Sequence, residues 1–211
     1  MTELEFYTNV FELQNKDLCR KLADATEHVE MPSGEILFQK GEVLNYIYFL
    51  ESGVCRATFL SYEDKDITDC LIYRTGEAIM TSFDRLEMDI AAPYTVEVIQ
   101  DSSFFCIPME RVIELMYEYT TDVLMLYNRI LIQSLEEHRE AKLVLYQYSA
   151  TERYQWFLKK YPGLIGKVQE KHIASFLGMT PVSLSRLKKG LRETDEKIEK
   201  PSKPEFVLSK K

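Results

Sequence analysis

After a lead-in of helical character over roughly residues 3–26, the apolar residues of the chain change their spacing. They gather into short runs closed by turn signals: Glu35–Phe38 before Gly41, Asn45–Leu50 before Ser52-Gly53, and Val54–Leu60 before Glu63-Asp64-Lys65-Asp66. Asp69–Tyr73 then precedes Gly76, Tyr94–Ile99 precedes Asp101-Ser102, and Phe104–Ile107 meets Pro108. Such β-rich runs, recurring roughly every 8–12 residues, predict a sandwich or barrel-like roll. From Met109 the period turns helical and persists to about Tyr148, with a break expected near Thr120-Thr121.

Within that helix Leu124, Tyr127, Leu131, Ser134, His138, Ala141, Leu145 and Tyr148 fall on alternating steps of three and four, while Val123, Leu126 and Ile130 widen the stripe at its start. This predicts a seam for a partner helix together with a face for the roll. At about 1.5 Å per residue such a helix exceeds 40 Å, a length suited to pairing with its own copy. His138, beside the seam, reads as a residue that sets register or packs neutrally rather than as a ligand. Ser149-Ala-Thr-Glu152 has the spacing of a capping box, so a new helix begins at about 150.

That helix, Arg153 to Tyr161, ends at Pro162-Gly163, and the segment that follows, Glu170 to Lys189, has the pattern of a helix-turn-helix. Two helices crossing through a short turn need a small residue where they meet, a left-handed residue in the turn and apolar anchors inside. Ala174 and Gly178 meet the first two demands. Ile173, Leu177, Leu184 and Leu187 meet the third, and Met179 fills the corner. Thr180 is a good N-cap, and Pro181 occupies the first helical position, where a missing N–H costs nothing. The second helix is expected in a DNA major groove, presenting Pro181, Val182, Ser185, Arg186 and Lys189. Arg186 is the side chain suited to a bidentate contact with guanine. Thr180, Ser183, Lys171, Lys188 and Lys189 are candidates for phosphate contacts.

Charge sharpens this picture. The formal net charge is −8, yet residues 1–149 carry 12 Lys/Arg against 27 Asp/Glu, whereas residues 150–211 carry 14 against 7. A basic unit joined to an acidic one fits phosphate-backbone binding. Cys19, Cys55, Cys70 and Cys106 are widely spaced, form no Cys/His cluster at zinc or iron–sulfur spacing, and read as small buried hydrophobes; no metal site is expected. Only His28, His138 and His172 could serve as histidine bases, and no nucleophile elbow, Walker loop or dinucleotide fingerprint is present, so an enzyme is not expected. The acidic start lacks the features of a signal peptide and no apolar run approaches membrane-spanning length, which predicts a cytoplasmic protein.

Phe38-Gln-Lys-Gly-Glu42, Tyr48-Phe-Leu-Glu-Ser-Gly53, the long helix and the helix-turn-helix occur in an order that resembles the Crp/Fnr superfamily of bacterial transcription regulators, over roughly residues 10–191. The resemblance implies an α+β architecture: an N-terminal double-stranded β-roll of cyclic-nucleotide-binding type, a long dimerisation helix, and a C-terminal helix-turn-helix domain. The corresponding divisions are residues 1–118, 119–148 and 149–211. It also implies a homodimer on a palindromic operator, with double-stranded DNA as partner and RNA polymerase as a further one.

In cyclic-nucleotide-binding relatives a short helix opening with Gly-Glu and an Arg step hold the phosphate. Here Met80-Thr81 and Ala92-Pro93-Tyr94-Thr95 occupy those places, so cyclic AMP is not expected to act. Thr81, Ser82 and Tyr94 would line an effector pocket if one survives, though packing is the simpler role for each. No cofactor is expected, no specific haem ligand is visible, and any effector is unidentified. Pro181 and Val182 stand where the family often has Arg and Glu, which leaves Arg186 as the main reading residue. Past Leu191, the charged tail Arg192–Lys211 is expected to be frayed or short-stranded rather than a full winged hairpin. A different class of reading is a ligand-binding signalling module whose C-terminal helices bind a protein; the basic C-terminal unit and Arg186 favour DNA.

Overall fold

The structure, a computed structural model, describes residues 1–80 and 89–199, with the backbone alone for 192–199. The N-terminal lead-in comprises α1 (Glu3–Glu5), a π-helical turn (Phe6–Val10) and α2 (Lys16–Asp24), which Asn15 caps through the amides of Asp17 and Leu18. The sheet follows: β1 (Glu27–Met31), β2 (Ile36–Phe38), β3 (Tyr46–Leu60), β4 (Asp66–Ile72), β5 (Ala78–Ile79) and β6 (Thr95–Pro108). All pairings are antiparallel.

Two pairs of expected strands prove to be single long ones. Ser52-Gly53 and Asp101-Ser102, read as turns, lie opposite each other inside the β3–β6 ladder, which shifts register between Leu50 and Cys55. Gly53 supplies the φ of +108° that this irregularity needs, and register shifts of this kind bend a strand while keeping it in the sheet. β3 and β6 therefore form a spine flanked by β1 and β5 on one side of the irregularity and by β2 and β4 on the other. Phe38, Leu50, Cys55, Val96, Val98 and Phe104 fill the interior of this roll. Ile47, Phe49, Phe105 and Ile107 point outward at alternate positions, as strand geometry requires. There they pack under Phe6, Tyr7 and Phe11 and under the two helices that follow. Burial on both faces accounts for the near-continuous apolar runs. β1 had no signal of its own, because Glu27, His28 and Glu30 are polar and mostly exposed.

α3 (Met109–Glu118) breaks at Tyr119, as the Thr120-Thr121 signal indicates, and α4 (Thr120–Gln147) follows. Its faces differ from the expected seam. Val123, Leu126 and Val144 are buried, and Tyr127, Ser134 and Ala141 are also turned toward the chain's own body. Leu124, Met125, Ile132, Leu135 and Tyr146 are exposed, Met125 and Leu135 each at 69%. Of the predicted seam, Leu124, Leu145 and Tyr148 are exposed, whereas Tyr127, Ser134 and Ala141 face inward, because the predicted set mixed positions from both faces.

α5 (Ala150–Lys160) opens on the expected capping box, Ser149 with Glu152. α6 (Glu170–Phe176) and α7 (Pro181–Glu199) follow a 3₁₀ turn at Pro162–Leu164. α7 runs on to Glu199, so 192–199 are helical rather than frayed; the remainder of the tail lies outside the described residues.

Candidate nucleic-acid interface and adjoining cavity

The turn between α6 and α7 is built by backbone hydrogen bonds that glycine makes possible. Met179 N–H donates to the Ala174 carbonyl at 2.9 Å, and Gly178 N–H donates to the Ser175 carbonyl at 3.0 Å. This pair of bonds is a Schellman closure, with Gly178 at φ +63° in the left-handed position. Thr180 then caps α7, its Oγ1 accepting from Ser183 N–H at 3.1 Å and lying 2.8 Å from the Ser183 hydroxyl. Ala174 and Leu184 are fully buried at the crossing.

With Leu184 inward, Pro181, Val182, Ser183, Ser185, Arg186 and Lys189 are exposed along α7, and Lys171 is exposed on α6. Lys188 differs from expectation: its ammonium pairs with Glu170 at the start of α6, so it clasps the two helices together. His172, buried behind the motif, has its pKa lowered chiefly by burial.

The motif shares a core with the outside of the roll. Val54 and Leu71 pack with Phe157, Tyr161, Ile173, Phe176 and Leu184. Ser175 adds a polar link across this contact, its Oγ accepting from Thr68 N–H at 2.9 Å and donating to the Asp66 carbonyl at 3.3 Å. Beside this link, buried Arg56 donates through Nε to Glu97 at 2.6 Å, and through its terminal nitrogens to Thr68 Oγ1 at 3.1 Å and Asp66 at 2.6 Å. Two carboxylates and a hydroxyl thus supply partners for the buried guanidinium. No signal in the sequence marked Ser175 or Arg56, since both act between segments far apart in the chain.

Between β4, β5, α4 and Tyr161 lies a cavity of about 140 Å³, lined by residues that include Cys70, Ile72, Glu77, Tyr94, Ser134 and His138. Tyr94 lines this cavity, with its hydroxyl donating to the Met80 carbonyl at 2.6 Å and burial raising its pKa. Thr81 and Ser82 lie outside the described residues. Beside the cavity Arg74 is held by Glu77, at 2.7 Å, and by Glu137 of α4, and both carboxylate residues line it. The cavity wall thus offers the carboxylates of Asp69, Glu77 and Glu137 and the imidazole of His138.

His138 does not stand on the outer stripe of α4. It turns toward Asp69 and Cys70 of β4, and those two groups, Asp69 foremost, raise its pKa to about 11. Cys19, Cys55 and Cys106 are buried, as the sequence suggested, and burial lifts the Cys55 thiol to about 12 and that of Cys106 to about 11.

Residues 28–119 match the family model described as the cyclic nucleotide-binding domain. None of the curated proteins matches the chain by sequence. Among solved structures, FixK2 from Bradyrhizobium japonicum is similar over 81% of this chain and 86% of its own, with 17% identity and a TM-score of 0.68. The c-di-GMP-responsive global regulator CLP of Xanthomonas campestris is similar over 86% and 93%, with 14% identity and a TM-score of 0.68. A Crp/Fnr-family transcriptional regulator from Eubacterium rectale is similar over 89% and 88%, with 17% identity and a TM-score of 0.59. The chain therefore has the fold of Crp/Fnr transcription regulators, an α+β architecture in which an antiparallel β-roll of cyclic nucleotide-binding type precedes a long helix and a helix-turn-helix. Among the described residues, no helix is long and apolar enough to cross a membrane.

Proposed function

We propose that this chain is a sequence-specific DNA-binding transcription regulator that acts as a homodimer on a palindromic site without responding to cyclic AMP. The observation that carries the reading is the α6–α7 pair: a glycine-closed turn, a Thr180 cap and a second helix whose exposed side carries Arg186. Groove-reading helices have this construction, and a basic C-terminal unit supplies the phosphate attraction. The dimer rests on the stripe Leu124, Met125, Ile132, Leu135 and Tyr146 along a helix about 42 Å long. A symmetric pair would place its recognition helices about 34 Å apart, one turn of DNA.

Independence from cyclic AMP is supported by the cavity. Arg74, beside it, is paired with two carboxylates of its wall, and the cavity volume of about 140 Å³ is small beside the roughly 300–1,000 Å³ usual for sites holding drug-sized molecules. Selection of binding sites from random duplexes tests the whole reading. A palindromic motif is expected, with affinity falling steeply as salt rises. Arg186→Ala is expected to cost about 1–3 kcal/mol at one base position per half-site and leave the others unchanged. Failure to select any motif, or an unchanged motif in the variant, overturns the assignment. Calorimetric titration with cyclic AMP should give no saturable heat at micromolar concentrations.

A further inference from the structure

Asp69 and Cys70 are neighbours on β4, and consecutive strand residues ordinarily point to opposite faces. Here the ladder with β3 pairs Ala57 with Cys70 and Thr58 with Thr68, which leaves Asp69 as the extra residue of a β-bulge. Bulges re-aim side chains, and this one brings the Asp69 carboxylate and the Cys70 sulfur to one place. The third member comes from α4. His138 Nδ1 lies 2.8 Å from the Ser134 carbonyl one turn earlier, which fixes the ring with Nδ1 as donor and directs Nε2 to the strand. Metal-ligating histidines are oriented in this way, by a hydrogen bond from the other ring nitrogen.

The spacing fits coordination. Nε2 of His138 and Oδ2 of Asp69 are 3.6 Å apart, and the three donor atoms all lie within 4.8 Å of one another. A tetrahedral zinc site with bonds of about 2.0–2.3 Å has edges of about 3.3–3.8 Å between ligand atoms. The His–Asp edge already has that length, and the wider ones close by small side-chain rotations.

From this geometry we infer that Asp69, Cys70 and His138 form a binding site for a divalent metal ion of the zinc type, which joins the bulge of β4 to α4. Sulfur, nitrogen and oxygen donors together suit a borderline ion, whereas magnesium or calcium would call for oxygen alone. Three protein ligands leave a fourth position open, and because all three line the cavity that Ile72, Tyr94 and Ser134 also line, water or an effector atom from it would complete the shell. The site was invisible along the sequence because its ligands are nearly seventy residues apart and only a bulge aligns two of them. It goes beyond the DNA-binding reading and does not depend on it.

The test uses the reduced, tag-free full-length chain titrated with Co²⁺. One ion per chain is expected, with a thiolate-to-cobalt charge-transfer band, the visible bands of a tetrahedral ion, and displacement of both by Zn²⁺. Cys70→Ser should abolish the charge-transfer band. Cys70→Ser and His138→Gln should each weaken binding by at least about 100-fold, beyond the 10–100-fold typical of residues that merely support ligands. Cys106→Ala, which alters a buried thiol elsewhere, should leave the spectrum unchanged. Circular dichroism checks that each variant folds; if His138→Gln does not, the wild-type spectrum and the response to Cys70→Ser still decide. Absence of the charge-transfer band in the wild type, its survival in Cys70→Ser, or binding below one equivalent overturns the proposal and leaves the three residues as an ion-paired cluster.

Discussion

Gly53 sits where a side chain has no room: a Cβ would lie 2.1 Å from Ser102 Oγ and 2.5 Å from its Cα, at a φ of +108°. Gly53→Ala is therefore expected to destabilise the protein by about 3–4 kcal/mol, read as a lowered denaturant midpoint. His172 makes a second prediction at this scale. Burial lowers its pKa in the folded state, so between that value and the ordinary one near 6.5 the unfolded chain binds more protons. Its contribution is complete above about pH 6.5 and is lost as the pH falls through the folded value. His172→Asn should flatten the fall in melting temperature on acidification below pH 6.5, measured by calorimetry across that range.

Among the elements, the α6–α7 turn tests most simply. Gly178→Ala forces an alanine into the left-handed region and brings its Cβ to 3.1 Å from an Arg153 nitrogen and 3.3 Å from Leu145. A cost of about 1–2 kcal/mol is expected from the backbone alone, with DNA affinity reduced as the helix crossing opens. On α4, Leu135→Glu should shift a dimer to monomer by light scattering, whereas Ser134→Ala, on the self-facing side, should not.

The helix-turn-helix was legible because its demands are local: Ala174, Gly178, Thr180 and Pro181 each answer a backbone requirement within a few residues. The strands were legible as apolar runs, but their continuity was not, since a glycine inside a bulged strand and a glycine in a turn leave the same mark. The outer face of α4 was legible only in part for a related reason. A helix buried on one side and open to a partner on the other carries two apolar stripes, and Tyr127 or Ala141 fits either by spacing. The Asp69, Cys70 and His138 cluster depends on strand register, to which no spacing rule is sensitive.

At the scale of the molecule, the roll and the C-terminal helices are joined by an apolar contact and by hydrogen bonds, those of Ser175 and of Gln100 to the Lys167 carbonyl among them. Ser175→Ala removes the acceptor for Thr68 N–H, so hydrogen exchange at that amide should accelerate while exchange at Leu184 in α7 stays slow. The long spine of β3 and β6 carries a different consequence, one of timing. Each half of the roll draws strands from the same two segments, which are separated by more than thirty residues, so neither half has a complete set of partners until both segments have met. Assembly must wait for a single distant encounter, which predicts slow refolding with one dominant phase for the roll, while the local contacts of α5 to α7 form ahead of it.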